Sequence, residues 1–258
     1  MKKILPILIL IITSFSLLSC DTIVGTGPSI IEQRKVDDFS QIHSYIPAEV
    51  YFKIGTAKEI RIEGQQNIID EIETSVENGK LHIRNKNNQN IDDWSDIKVY
   101  ITASACNGIS LKGSGNIITQ SDIQTENINL SVTGSGNLNI QSIVSTNAYI
   151  SLTGSGDIEL EHLTSNYTKS EITGSGDIEI KAQKTEKLVA KITGSGDFYA
   201  KNLASQTADV SISGSGSATI SASQMLNATI AGSGDITYYG TPSVNSSIKG
   251  SGTINQGN

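Results

Sequence analysis

The chain has 258 residues, a formal net charge of −7, only 5% aromatic side chains and two cysteines. This modest acidity opposes nucleic-acid binding and offers no basic patch for anionic lipid. The length is enough for one elongated domain.

Residues 1–19 read as a leader and are excluded from the fold. Lys2 and Lys3 give a positive start, Ile4 to Ile12 is apolar apart from Pro6, and Leu17-Leu18-Ser19-Cys20 follows. The stretch is short for a bilayer span. It resembles a bacterial lipoprotein signal with its lipobox, which implies cleavage before Cys20 and a lipid on Cys20 as the membrane contact. An ordinary secretory peptide cleaved elsewhere is the alternative. Lipidation of Cys20 leaves Cys106 as the one free cysteine, so no intramolecular disulfide can form. Cys106 reads as a small buried residue rather than a catalytic thiol.

Residues 20–29, with Gly25, Gly27 and Pro28, form a tether. Residues 30–107 are β-rich but irregular. Val50 to Ile54, Glu59 to Ile62 and Ile97 to Ile101 alternate as strands, Glu77-Asn78-Gly79 marks a hairpin turn, and Asn67 to Glu73 has room for one helical turn. This region is expected to supply N-terminal coils or a cap that shields an exposed ladder edge.

Residues 108–258 carry Gly-Ser-Gly eight times, with the paired glycines at Gly113 and Gly115, Gly134 and Gly136, Gly154 and Gly156, Gly174 and Gly176, Gly194 and Gly196, Gly214 and Gly216, Gly232 and Gly234, and Gly250 and Gly252. Successive triplets are 21, 20, 20, 20, 20, 18 and 18 residues apart. A unit of about 20 residues cannot bury a core alone, so copies must stack as a solenoid. The flanks exclude a flexible linker. Val132, Leu152, Ile172, Ile192, Ile212, Ile230 and Ile248 precede their triplet by two, and Leu138, Ile158, Ile178, Phe198, Ala218, Ile236 and Ile254 follow the second glycine by two. That parity is the period of strands with one buried face.

Glycine costs roughly 0.5–1 kcal/mol relative to alanine in a strand, so sixteen of them mark a backbone requirement, most simply a sharp corner between short strands. A return holds a third apolar column at Ile123, Ile143, Leu163 and Leu203, in odd parity. The fold class expected is all-β, a single-stranded parallel β-helix of about 20-residue coils, right-handed by the crossover default. The left-handed hexapeptide helix is disfavoured by the 20-residue spacings. No amphipathic helix follows the last triplet, so the final coil is expected to be uncapped and open to another protomer or a partner.

The triplets with their Asp or Asn and following apolar residue, clearest at Gly154 to Ile158, Gly174 to Ile178 and Gly194 to Phe198, together with the lipobox and the irregular lead-in, resemble the bacterial auto-transporter adhesin, head GIN domain family. The resemblance covers about Phe39 to Ile254. It implies a right-handed β-helix of pectate-lyase-like topology and a surface or envelope role, and it carries no binding residues. Ser217 and Thr253 depart from the Asp or Asn column.

Chemistry is sparse. The column Asn116, Asn137, Asp157, Asp177, Asp197, Ser217, Asp235, Thr253 could hold a cation across Asp157, Asp177 and Asp197, but acceptance of backbone N–H groups at the corner is favoured. The serines Ser114 through Ser251 and Thr133, Thr153, Thr173 and Thr193 read as hydroxyl ladders. His43, His82 and His162 are far apart in sequence, Tyr149, Tyr167 and Tyr199 are scattered, and Trp94 reads either as a contact residue or as a core anchor. No metal, cofactor or catalytic residue is assigned. The expected function is a lipid-anchored, non-enzymatic adhesin or scaffold of the cell envelope with a glycan or protein ligand. A structural or envelope-stress lipoprotein without a ligand is the alternative, and a polysaccharide-active β-helix enzyme ranks third.

Overall fold

The computed structural model describes residues 22–86 and 89–258. The leader 1–19 and Cys20 lie outside the described residues. The chain is 70% strand and 2% helix, wound as a β-solenoid of about seven turns with coils of about 20 residues. No helix among the described residues is long and apolar enough to cross a membrane.

Each coil pairs with the next in parallel and in register. Val132 lies opposite Leu152, Leu152 opposite Ile172, Ile172 opposite Ile192, Ile192 opposite Ile212 and Ile212 opposite Ile230. These side chains are buried, as are Leu138, Ile158, Ile178, Phe198, Ala218 and Ile236 beyond the corner and Ile123, Ile143, Leu163 and Leu203 in the return. With further buried columns such as Leu130, Ile150, Ala190 and Val210, and Ile140, Leu160, Ile180 and Ala200, they stack at the strand spacing of about 4.8 Å. Branched aliphatic residues suit this packing, because each stiff side chain rests on its copy one coil away.

The shortening from 20 to 18 residues is absorbed in the return. Ala200 pairs with Ile220 and Ala204 with Ser221, so Lys201, Asn202 and Leu203 have no counterpart in the next coil. The third apolar column ends there for that reason.

At each triplet the strand ends in a bend. The first glycine of each adopts a φ between 115° and 139°. At Gly154 a Cβ would lie 2.2 Å from the carbonyl oxygen of Gly134, and at Gly156 it would lie 2.0 Å from that of Gly136. The close approach is used: the Gly134 carbonyl accepts the N–H groups of both Ser155 and Gly156, at 2.9 and 3.1 Å. Glycine is needed twice per corner because carbonyls of one coil occupy the space where the next coil's side chains would begin.

Parallel coiling reaches back before the first triplet. Gln41–Ser44 pairs with Gly108–Gly113, and Glu49–Ile54 pairs with Asn116–Thr119. In this coil Ile46-Pro47-Ala48 occupies the corner, and its carbonyls at Ile46 and Ala48 lie under Gly115. Below it, Lys80–Asn85 and Lys98–Ala103 continue the two ladders. The outer edges of those strands are closed by antiparallel partners: Ile72–Glu77 on one, and Glu59–Gln65 followed by Ser29–Arg34 on the other. The N-terminal region thus supplies both coils and a cap. The turn at Asn78 and Gly79 has φ of 53° and 73°, as a two-residue hairpin demands, and Gln66–Ile69 is the short helix.

At the other end, Ser243–Gly250 and Ile254–Gln256 have a ladder partner on one side only. Ile248, in the apolar column, is 43% exposed there.

Candidate functional site

The Gly-Ser-Gly corner is consumed by the scaffold. Beside it, the Asn137 side-chain oxygen accepts the backbone N–H of Asp157 at 3.1 Å, Asp157 that of Asp177 at 3.0 Å, Asp177 that of Asp197 at 2.8 Å and Asp197 that of Ser217 at 2.6 Å. Asp235 does the same for Thr253 at 2.8 Å. This column is a strut running along the solenoid, and Asn serves in it as well as Asp. No group of three or more His, Cys, Asp or Glu among the described residues is placed to hold a metal ion.

A second, buried hydroxyl column lies along another edge from the serines and threonines of the Gly-Ser-Gly corner. Ser114 through Ser251 and the neighbouring threonines face solvent, with Ser233 and Ser251 touching at 3.0 Å. At the third corner, between the return and the next coil, Thr125 pairs with Ser145, and Ser165, Thr185 and Ser205 stack in register. Ser165, Thr168 and Thr185 form a closed hydroxyl triangle at 2.6, 3.0 and 3.1 Å inside the protein. Those hydroxyls were visible in the sequence as Ser or Thr in phase with the glycine repeat.

Outside this ladder lies a groove of about 520 Å³ spanning four coils. Its floor is Ser165, Thr185 and Ser205, and its walls present Asn166, Lys184, Glu186 and Gln206 to solvent. Beside it Gln183 stands in the ladder between Leu163 and Leu203 with φ 97° and is exposed, so the apolar column is interrupted where the groove runs. A left-handed backbone at a non-glycine residue is strain, which survives where its surroundings enforce it.

The two flat faces differ. On the face carrying strand positions 157–161, Lys181 bridges Glu159 and Glu161, the latter at 2.7 Å, and holds the Glu161 carboxyl below its ordinary range. A glycosidase general acid needs the opposite shift. The Tyr199 hydroxyl donates to Asp197 at 2.8 Å, which pushes the phenol up to about 12. On the face carrying positions 147–153, Tyr149 and Tyr167 meet edge to face at 6.1 Å, so two of the tyrosines that look scattered in the sequence are neighbours.

The remaining candidates fall as follows. Cys106 is buried, and burial pushes its thiol up to about 11. Trp94 is half-buried against the core, the anchor reading of the two. His162 is exposed. His43 and His82, separated by 39 positions, lie opposite each other on adjacent coils with ring centroids 5.2 Å apart. They sit among Lys80, Arg84 and Lys112, a local cationic cluster that the overall acidity concealed.

The family model described as "Putative auto-transporter adhesin, head GIN domain" matches residues 38–199 and 139–242. Solved structures share the fold along nearly the whole chain. A putative lipid binding protein from Parabacteroides distasonis is 25% identical with a TM-score of 0.86, and a putative adhesin from the same organism is 21% identical with a TM-score of 0.86. A putative adhesin from Parabacteroides merdae is 22% identical with a TM-score of 0.81. Each match covers 92% of this chain and 100% of the other. No curated protein matches the chain.

Proposed function

The chain belongs to the family of putative auto-transporter adhesins with a head GIN domain, and from that premise we propose that it is a non-enzymatic binding scaffold of the bacterial cell envelope, anchored by lipid on Cys20, which holds an extended glycan along its third corner.

The groove over Ser165, Thr185 and Ser205 is the observation that carries this reading. Its size is within the range of ligand sites. Its lining repeats with the coils at about 4.8 Å, a step comparable to one pyranose of an extended polysaccharide. Asn166 and Gln206 each offer an amide that both donates and accepts, and Lys184 and Glu186 add a charge of either sign. This is the chemistry that recognises sugar hydroxyls, and a solenoid presents it in register over several units. The lack of a catalytic role is supported by the neighbouring carboxylates Glu159 and Glu161 being tied to Lys181.

Glycan-array and cell-adhesion measurements on residues 22–258 test the ligand. Binding to an extended glycan that Asn166→Ala with Gln206→Ala reduces at least tenfold is expected. Binding indifferent to that double variant removes the groove from the function, and sustained absence of any binding favours a structural envelope lipoprotein. The anchor is tested separately, by intact mass and detergent partitioning of wild type and Cys20→Ser expressed in bacteria. Protease shaving of intact cells then distinguishes an outward-facing protein from a periplasmic one.

A further inference from the structure

On the first coils, far along the chain from the groove, the strands on either side of Gln41–Ser44 place cations around a cluster of rings. His43 lies opposite His82 on one side and Ser110 on the other, and Lys80 lies opposite Gln41. The ring of Tyr45 stacks on that of His82 at 6.0 Å. The Arg84 guanidinium carbon lies 5.8 Å from the Tyr45 ring and the Lys112 ammonium 5.5 Å, one from the coil below and one from the coil above.

The charges here are unbalanced. Glu77, on the antiparallel cap strand, pairs with Arg84 at 3.1 Å. Lys80 and Lys112 have no ion-pair partner among the described residues, in a chain that is acidic overall. The Nδ1 of His82 is buried without a hydrogen-bond partner.

We propose that Lys80, Arg84 and Lys112, grouped around His43, Tyr45 and His82, form a binding site for a phosphate-type oxyanion. A phosphate monoester carries close to two negative charges near neutral pH and offers three acceptor oxygens, which suits three cations drawn from two coils better than a single carboxylate does. Tyr45 holds the two outer cations by their attraction to its ring face and so keeps them pointed at one place.

The imidazoles make the site report on its ligand. Burial, then His82, Lys80 and Lys112, lower His43 to about 4. Burial, Arg84 and Lys80 lower His82, against the opposing pull of Glu77. Both rings are therefore neutral at pH 7 in the free protein. A bound dianion offsets the cations, favours the protonated rings and must raise both titrations; the linked gain in affinity on acidification is opposed by protonation of the phosphate itself, whose second pKa is about 6.

The test is an NMR pH titration of the histidine ring protons in residues 22–258, with and without inorganic phosphate, with phosphate affinity measured by calorimetry at several pH values. Phosphate is expected to move His43 and His82 to higher pH while leaving the exposed His162 in place. Lys112→Glu, at an exposed position, is expected to weaken phosphate at least tenfold, as loss of a charge-assisted contact implies. Glu77→Gln is expected to strengthen it. Histidine titrations unmoved by phosphate, or moved equally in Lys112→Glu and Lys80→Glu variants that retain the wild-type circular dichroism and melting curve, overturn the proposal. Vesicles of phosphatidylcholine with phosphatidic acid identify the source: a shift of His43 by these vesicles points to a lipid headgroup, and a response to phosphate alone points to a soluble ligand. The glycan groove is on other residues, so failure of either reading leaves the other standing.

Discussion

The side chain of Asp157 accepts the backbone N–H of Asp177 at 3.0 Å, one coil onward, and Asp177 does the same for Asp197 at 2.8 Å. Each carboxylate thus performs a backbone task for the next turn, and Asp177 does so between two others of its own charge. Burial is the larger reason that the Asp177 carboxyl sits above its ordinary value; Asp197 and Asp157 add to it, and the Asp197 N–H opposes it.

A raised carboxyl in the folded state means that ionisation costs stability. The associated stability is fully present below the unfolded carboxylate range and lost as pH rises through the folded value. Asp177→Asn keeps the acceptor oxygen, as Asn137 does for Asp157 at 3.1 Å, and removes the charge. It is expected to stabilise the protein at pH 7 by a few tenths of a kcal/mol after solvent screening, a gain that vanishes in acid. Asp177→Ala removes the acceptor and is expected to cost about 1 kcal/mol at both pH values. Thermal unfolding of the three proteins at pH 7 and pH 3 decides it. If Asn and Ala behaved alike, the hydrogen bond would have no measurable role. Calcium and chelator are expected to leave the melting temperature of wild type unchanged, since one oxygen of each carboxylate is already committed.

Two glycines in equivalent places separate backbone strain from steric exclusion. Gly113 and Gly154 have φ of 115° and 125°, but a Cβ on Gly113 meets nothing within 4 Å, whereas on Gly154 it meets the Gly134 carbonyl oxygen at 2.2 Å. Gly113→Ala is expected to cost about 1–3 kcal/mol, the strain of its backbone alone. Gly154→Ala must also push two coils apart, adding about 2 kcal/mol or more. Urea unfolding followed by fluorescence and circular dichroism compares them. Equal penalties would mean that the stacked carbonyls do not dictate the glycines.

Much of this fold is legible because it repeats. A side chain stacked on its own copy must be the same kind of side chain every 20 residues, so Leu152 and Ile172 announce their column and Leu163 and Leu203 announce the return. The earlier coil is harder to see, although Ile42, Ile46, Ala48, Val50 and Phe52 keep the same alternation. Its corner is Ile46-Pro47-Ala48, built without glycine, and the coil below, with its strands Lys80–Asn85 and Lys98–Ala103, has no glycine pair to mark it. The hydroxyl column at Ser145, Ser165, Thr185 and Ser205 repeats too, but Ser and Thr are frequent throughout the chain, so the eye is drawn to the exposed ladders instead. The meeting of His43 with His82 leaves no trace in spacing: it follows from the register of two strands joined through a cap, which no local pattern specifies.

Cys106 gives a probe of the first full coil. Its sulfur is 3.6 Å from the Gly108 carbonyl oxygen and the residue is 2% exposed. With the thiol pushed up to about 11, almost none is thiolate at pH 8, and reagent cannot reach it without opening the structure. Alkylation is expected to proceed at the rate of unfolding, rising in urea with the global transition. Rapid labelling of the native protein would place this coil among the loosely held parts of the solenoid.

The final coil is the least protected backbone. Ser243–Gly250 and Ile254–Gln256 each expose an unpaired ladder edge, while the opposite end is closed by the strands Ile72–Glu77 and Ser29–Arg34. Head-to-tail stacking of copies is therefore blocked at the capped end, and the edge left free can pair with its own equivalent about a two-fold axis. From Ser243 onward Lys249 is the sole charged side chain, so two such edges meet with little repulsion, and Ile248 supplies apolar surface at the joint. Residues 22–258 are expected to dimerise at micromolar concentration, with amide exchange in 243–256 slowing as concentration rises. Ile248→Lys is expected to restore a monomer without altering the melting of the remaining coils. A wild-type protein that stays monomeric across that range, with fast exchange in the last coil throughout, would show that this edge is tolerated bare or kept for a different partner.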